Sequence, residues 1–337
     1  MGDSFSLLGE NWVEELDDVA LTNILKKVTC DHAMKKLTNH FLKTDCTEIK
    51  KIGMEFFFVH EKYKELDELI EENKQILRCS NQEWAEVYNL MLKTVKRNEC
   101  LLTVANEIYL CKTKDPVVKI LKEFIYIYIQ LKAKNYEGIT TSIEKIRTLM
   151  EVVDNKFLIA SFENRIDLVM FRYYWTRNEM INTRRIGFNL IKKSIPNHLK
   201  VRIHISLGLS YIFETFEQGM YHFKKALRIS KKNDYCNHIY MIKNFFIPFY
   251  AAHFHRVRGK NNEFKLEENT LQVVKELEKI TATLLEKRKK KTPLVYYLLG
   301  IVHQNRSYLA KSYHLYAHKC KDYYLSRLPL QALQQLS

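Results

Sequence analysis

The sequence predicts an all-α protein made of stacked helical hairpins. Glycine and proline are scarce, with 9 and 5 copies in 337 residues, about 4% together against an average of about 12%. These residues punctuate turns, bulges and sheet edges, so their scarcity disfavours sandwiches, barrels and most α/β folds. Apolar residues also recur at i, i+3 or i+4, and i+7 along nearly the whole chain, which is the pattern of amphipathic helices.

The periodic segments follow one another with short links. The first helices are predicted around Val19–Leu25 and Ala33–Phe41. Pro116 and Pro293 suit the first turn of a helix, whereas Pro248 falls inside one and should kink or split it. The later helices are predicted at about 48–61, 64–77, 83–97, 101–112, 116–134, 137–151, 155–175, 178–193, 198–213, 216–231, 235–257, 263–289, 293–303, 306–320 and 322–335.

Two hairpins carry the pattern of a tetratricopeptide (TPR) repeat. Leu207–Tyr211 reads Leu-Gly-x-x-Tyr and is followed by the small-x3-aromatic-x2-Ala series Gly219, Phe223 and Ala226. A weaker copy begins at Leu299-Gly300. Small residues let the two helices of a hairpin approach closely, and the aromatic residue fills the gap to the next hairpin. The predicted fold is therefore a right-handed superhelix of TPR-like helical hairpins.

Three regions are predicted along the chain. Residues 1–45 hold N-terminal helices without a clear helix-turn-helix. Residues 46–194 keep the helical rhythm without the Leu-Gly motif and are interpreted as degenerate TPR-like repeats. Residues 195–337 are interpreted as TPR-like repeats followed by C-terminal dimerisation helices.

Charge is distributed unevenly. The chain carries a net charge of +15, which suggests an acidic partner such as nucleic acid, an acidic protein or a membrane surface. Residues 1–24 hold six acids and no Lys or Arg, whereas residues 195–337 hold 24 basic and 10 acidic residues. A nucleic-acid site is therefore expected in the middle or C-terminal part of the chain.

The sequence also predicts the compartment. Seven cysteines at irregular spacing, without CxxC, are typical of reduced thiols in the cytoplasm, here that of a bacterial host. We expect no signal peptide, because a basic region followed by an apolar stretch is missing at the N-terminus. No run approaches the roughly 20 apolar residues of a membrane span, so no membrane partner is expected.

No catalytic constellation is found, and neither an enzyme activity nor a cofactor or metal is expected. Nucleotide-binding, zinc-protease, EF-hand and serine-hydrolase motifs are missing from the sequence. His314 and His318 stand at i,i+4 beside Cys320, a spacing that can hold zinc, but no fourth ligand is implied. They are better explained as a solvated or packed helix face.

One basic run is a candidate contact. It consists of Lys287, Arg288, Lys289, Lys290 and Lys291. It is either a cationic helix end that complements the macrodipole or a contact with nucleic-acid phosphates or an acidic partner.

Polar stripes predict a ligand groove. Arg172 and Thr176 share one helix face, and so do Tyr240 and Asn244. The first helices of stacked hairpins line a concave groove that can take an extended peptide. The alternative is a solvated groove without a ligand. A further stripe on one face consists of His198, Arg202, Ile205 and Leu209.

Two stretches carry a family resemblance. One is residues 164–230, which include the Leu-Gly hairpin. The other is the C-terminal part of the chain, with the segments Tyr296–Gly300 and Asp322–Leu330. Through them the chain resembles the arbitrium receptors (AimR) of Bacillus phages, within the TPR-type peptide-pheromone regulators that include the Rap proteins. The resemblance implies a dimeric transcription regulator of lysis and lysogeny, with an N-terminal helix-turn-helix and a short signalling peptide in the groove.

The sequence departs from this family in two places. Only about a dozen residues precede the aligned superhelix, and this segment is acidic, so the DNA-binding part is either naturally absent or missing from this chain. Asp322 looks like the family's acidic residue that meets a basic side chain of the peptide. Where the family uses asparagines, this chain has Arg172, Thr176 and Leu209, and His198 replaces an arginine. Either the peptide differs or this paralogue binds none.

The sequence is compatible with three functions. The leading hypothesis is a cytoplasmic, homodimeric, peptide-responsive regulator that controls lysis and lysogeny through transcription, with the peptide and DNA as partners. The second is a Rap-like TPR adaptor that lacks DNA binding and sequesters a partner protein. The third, an RNA-binding helical repeat, lacks the regular two-residue code of such repeats.

Overall fold

The fold is helical throughout the part of the chain that the structure describes. Most of these residues lie in helices and none lies in a β-strand, so the all-α prediction is confirmed for them. None of the described helices combines the length and the apolar character that a membrane span requires. The chain divides into two compact units, Met1–Ile166 and Asp167–Ser337. The computed structural model describes residues 31–75, 79–96, 100–259, 275, 278–282 and 292–336.

The first unit consists of short, sequential helices. Asp115 begins one of them by accepting hydrogen bonds from the main-chain N–H groups of Val117 and Val118, with Pro116 in the first turn as predicted. Its helices are α1 (Asp31–Lys43), α2 (Thr47–Val59), α3 (Tyr63–Gln75), α4 (Cys79–Lys96), α5 (Leu101–Leu110), α6 (Pro116–Ala133), α7 (Ile139–Met150) and the first half of α8 (Lys156–Thr176).

A buried ion pair lies in the core of the first unit. Arg165 Nη1 lies 2.9 Å from Glu55 Oε2, and the two side chains are 5% and 0% exposed. Tyr88 donates its hydroxyl to the same Glu55 oxygen at 2.7 Å. The Arg165 guanidinium also stacks over Phe124 at 4.4 Å and over Phe58 at 4.7 Å. The carboxylate is thus hydrogen-bonded as well as paired, which a buried charge requires.

The second unit continues the helical series. Two of its segments are π-helical, and one of these lies just before Pro248, where the sequence predicts an interruption. Pro248 has no N–H to donate to the carbonyl four residues earlier. The elements are the end of α8, α9 (Met180–Lys192), α10 (Asn197–Leu209), α11 (Phe216–Lys232), α12 (Cys236–Met241), a π-helix (Ile242–Phe246), α13 (Ile247–Gly259), α14 (Pro293–Val302), α15 (Arg306–His314), a π-helix (Leu315–Lys319) and α16 (Arg327–Gln335).

The Leu-Gly motif packs as the sequence predicts. A Cβ atom on Gly208 of α10 would lie 2.8 Å from the ring of Phe223 of α11, so only glycine permits this approach. A Cβ atom on Gly219 would overlap the hydroxyl of Tyr250, which donates to the carbonyl oxygen of Thr215 at 2.7 Å. The small-x3-aromatic pattern therefore sets the spacing of α10, α11 and α13.

Two histidines join α10 and α11 in the same hairpin. His204 and His222 are 8% and 1% exposed, and their Nδ1 atoms are 3.0 Å apart. Burial, followed by His222, Lys225 and Lys200, lowers the pKa of His204 to about 4. Burial also lowers the pKa of His222 to about 4. Both rings are therefore neutral near pH 7, and one donates its Nδ1–H to the other.

The predicted helix over 322–335 is wrong in its first turn. Residues 323–326 form a turn, and α16 begins only at Arg327. Asp322 Oδ1 accepts a hydrogen bond from the main-chain N–H of Leu325 at 3.0 Å, which stabilises the turn. We call Asp322–Ser326 the Asp322 turn.

Candidate functional site

The Asp322 turn meets the C-terminal end of α8. Trp175 donates its indole N–H to Asp322 Oδ2 at 3.4 Å, and the main-chain N–H of Tyr323 donates to the carbonyl oxygen of Thr176 at 3.1 Å. The Asp322 carboxylate is half-buried and is oriented by two neutral donors, Trp175 and Leu325. A carboxylate held in this way is suited to pairing with a cation.

The predicted α8 stripe is divided by burial. Arg172 is exposed, whereas Thr176 is only 5% exposed and its hydroxyl donates to the carbonyl oxygen of Tyr173 at 2.9 Å. Thr176 therefore contributes to the site through its main-chain oxygen, which holds the Asp322 turn, more than through its hydroxyl. The structure thus brings the segments of two predicted site residues, Thr176 and Asp322, into direct contact.

Tyr324 attaches the Asp322 turn to the Leu-Gly hairpin. Its side chain is fully buried, and its hydroxyl donates to the carbonyl oxygen of Ser210 at 2.6 Å. Its ring makes edge contacts with Trp175 at 5.0 Å and Phe213 at 5.2 Å between centroids. Burial raises the pKa of Tyr324 well above its usual value, so the hydroxyl remains a donor at any physiological pH.

Arg184 of α9 holds the same carbonyl. Its Nη2 donates to the Ser210 oxygen, and its Nε donates to the Ser210 hydroxyl at 3.1 Å. The guanidinium is bidentate to Glu214, at 2.8 and 2.7 Å, and stacks over Tyr211 at 3.9 Å. The main-chain oxygen of Ser210 therefore accepts from both Arg184 and Tyr324.

The other predicted stripes occupy two further helices. On α10, His198 is half-buried with its Nε2 shielded from solvent, and Arg202 is exposed. Tyr240 and Asn244 are both exposed, and the Asn244 side-chain amide donates to the Tyr240 carbonyl oxygen at 3.0 Å. The amide hydrogen bond fixes the orientation of Asn244 at the junction of α12 with the π-helix that follows it.

Sequence reasoning missed the residues that organise the Asp322 turn. They are Trp175, Arg184, Ser210 and Tyr324. Ser210 lies inside the Leu-Gly motif, and Tyr324 lies inside the C-terminal segment Asp322–Leu330. Both residues are therefore in segments that the sequence singles out. Their pairing joins positions more than a hundred residues apart, which a local pattern does not report. The predicted basic run Lys287–Lys291 lies outside the described residues.

Comparisons with known proteins cover nearly the whole chain. The AimR transcriptional regulator of Bacillus phage SPbeta is 20% identical over 332 residues, covering 94% of this chain and 84% of that protein. The AimR transcriptional regulator of Bacillus phage phi3T is 19% identical over 327 residues, covering 94% and 85%. A solved structure described as phAimR-Ligand matches with a TM-score of 0.72 at 19% identity, covering 96% and 98%.

The structural likeness supports the predicted TPR-like hairpin fold. The model of the family described as "AimR transcriptional regulator-like" matches residues 33–335. That description is of transcription regulators and not of an enzyme class. This chain therefore belongs to the AimR transcriptional regulator-like family.

Proposed function

We propose that the protein is an arbitrium-type transcription regulator, encoded by a phage or prophage, that responds to a short peptide and controls lysis and lysogeny. Membership of the family over residues 33–335 supports the role in transcription. A solved structure described as phAimR-Ligand supports ligand binding. The adaptor hypothesis is not favoured by family membership.

The proposed peptide site is centred on Asp322. The observation that carries it is the orientation of this half-buried carboxylate by Trp175 and Leu325. Because its geometry is already set, a cationic side chain of the peptide would pair with it at little ordering cost. Arg172 or Arg202, both exposed, would take the C-terminal carboxylate of the peptide.

The remaining predicted residues would contact the body of the peptide. His198, Tyr240 and Asn244 offer an imidazole, a hydroxyl and an amide, all of which hydrogen-bond peptide main chain. Thr176 would act by holding the Asp322 turn through its carbonyl oxygen. Peptide contact with Asp322 would then stabilise this turn and α16, and change how two protomers of a cytoplasmic homodimer pack.

The test is isothermal titration of the full chain with synthetic peptides encoded directly downstream of its gene. Each peptide is compared with a version in which citrulline replaces arginine. The variant is Asp322→Asn, which keeps acceptor oxygen and shape but removes the charge. We expect a loss of binding of about 10- to 100-fold, as for a charge-assisted hydrogen bond.

The matched control is Asp234→Asn, the same substitution at an exposed aspartate. It should bind like the parent protein. The peptide role fails if the parent gives no heat with any of these peptides, or if Asp322→Asn and the citrulline peptide bind normally.

A further inference from the structure

The exposed side of α11 carries a continuous positive surface. Lys224, Arg228, Lys231 and Lys232 are exposed, and Lys225 is half-buried with its Nζ 5.2 Å from the ring of Tyr221. The spacing of three, four and seven residues places these side chains on one helix face. We call this surface the basic face of α11; it consists of Tyr221, Lys224, Lys225, Arg228, Lys231 and Lys232.

The opposite side of the helix explains why this face points outward. Phe223 and Ala226 are fully buried, and Gly219 and His222 lie against α10 or α13. The helix therefore cannot rotate to bring its cations toward a neighbouring element. A rise of 1.5 Å per residue spreads the basic face over about 16 Å.

Helix α11 itself offers little acidic charge to neutralise the cations of this face. Glu217 is the one acidic residue of α11. Within the described part of the chain, no carboxylate forms a salt bridge with Lys224, Arg228 or Lys231. Other cations of the second unit are paired, as in Arg184 with Glu214 at 2.7 Å and Lys193 with Asp167 at 2.8 Å.

Helix electrostatics alone do not account for the face. Cations in the last turn complement the macrodipole, which explains Lys231 and Lys232. The effect falls off within one turn, so it does not reach Lys224, Lys225 or Arg228. An ordinary solvated face would also mix both signs of charge, since unneutralised cations repel each other.

We propose that the basic face of α11 is a sequence-independent contact for the phosphate backbone of duplex DNA. A row of cations about 12 Å long, from Lys224 to Lys232, matches a polyanion with a charge every 3.4 Å or so along each strand. Tyr221, 51% exposed at one end, offers a hydroxyl of the kind that donates to phosphate oxygens. The choice of partner rests on the proposed role in transcription.

The experiment measures binding of the full chain to a fluorescein-labelled 20-base-pair duplex of random sequence, by anisotropy from low to moderate salt. The variant is Lys224→Gln/Arg228→Gln/Lys231→Gln. All three sites are exposed, and glutamine is a good helix former, so folding is retained. The control is Lys192→Gln/Lys243→Gln/Arg306→Gln. It also removes two lysines and one arginine, but from exposed sites on other elements.

We expect the α11 variant to bind the duplex at least about tenfold more weakly at low salt. Its slope of log affinity against log salt should flatten by about 2.7, for three lost phosphate contacts. The control should keep the parent slope.

Several results would overturn the inference. They are equal losses in both variants, no loss in the α11 variant, and a parent protein that binds polyglutamate as tightly as the duplex. A parent that never binds the duplex overturns it too. Peptide calorimetry is independent of α11, so failure of this inference is distinguishable from failure of the peptide role.

Discussion

Tyr324 donates its buried hydroxyl to the carbonyl oxygen of Ser210 at 2.6 Å, which joins the Asp322 turn to the end of α10. Trp175 donates to Asp322 within the same cluster, and Arg184 donates to the same Ser210 oxygen. The turn that carries the proposed peptide-binding carboxylate is therefore held by helices α8, α9 and α10 together.

Tyr324→Phe should lower the free energy of unfolding by about 1 kcal/mol, the usual net value of one hydrogen bond. The ring contacts with Trp175 and Phe213 remain, and Ser210 still accepts from Arg184. Urea unfolding of the full chain measures the change. The control is Tyr323→Phe at the adjacent, 52% exposed tyrosine, which should be neutral. Equal effects of the two substitutions would contradict a specific role for the Tyr324 hydroxyl.

The His204–His222 pair should make the fold sensitive to acid. Their pKa values of about 4 lie below the 6.5 of an unfolded histidine, so the unfolded chain binds more protons between these limits. The contribution of this pair to the free energy of unfolding is therefore complete above about pH 6.5. It is lost as the pH drops to about 4, by a few kcal/mol for the two histidines together.

Thermal melts across this pH window measure the loss. The double variant His204→Leu/His222→Phe removes both partners and should flatten the pH dependence. His303→Gln, at an exposed histidine, should leave it unchanged. An unchanged slope in the double variant would assign the acid sensitivity to other groups.

Arg165→Met should destabilise the first unit by about 3–5 kcal/mol, because it leaves the fully buried Glu55 carboxylate without its counter-charge. Tyr88 still donates to Glu55, but a neutral donor does not replace the charge. The comparison is Lys62→Met, which breaks a partly exposed pair with Glu65 and should cost less than about 1 kcal/mol. Chemical unfolding followed by circular dichroism measures both; similar costs would refute the buried-pair argument.

Gly219→Ala should destabilise the second unit by about 1–3 kcal/mol through overpacking. The new methyl group would meet the Tyr250 hydroxyl, which is held by the Thr215 carbonyl oxygen. Gln218→Ala, at the preceding exposed position, serves as the control and should be neutral or slightly stabilising. A melting temperature for Gly219→Ala equal to that of the control would mean that α11 and α13 move apart freely.

The features that local patterns encode could be predicted from the sequence. The all-α class follows from periodicity and scarce glycine, and the close approach at Gly208 follows from its spacing to Phe223. The start of α16 could not be predicted, because the apolar period continues through Tyr324 while Asp322 stabilises a turn instead. The contact of Trp175 with Asp322 spans 147 positions, and only the tertiary fold brings these two side chains together.

The acceptor shared by Arg184 and Tyr324 is a main-chain atom, the Ser210 oxygen. A smaller side chain at position 210 would remove the hydroxyl that accepts from Arg184 Nε, but it would leave that oxygen in place and so would not detach the Asp322 turn. The two donors have no such freedom, since each supplies its hydrogen bond through its side chain. Among relatives, co-variation that reports on this junction should therefore link positions 184 and 324, whose side chains donate to the same oxygen atom.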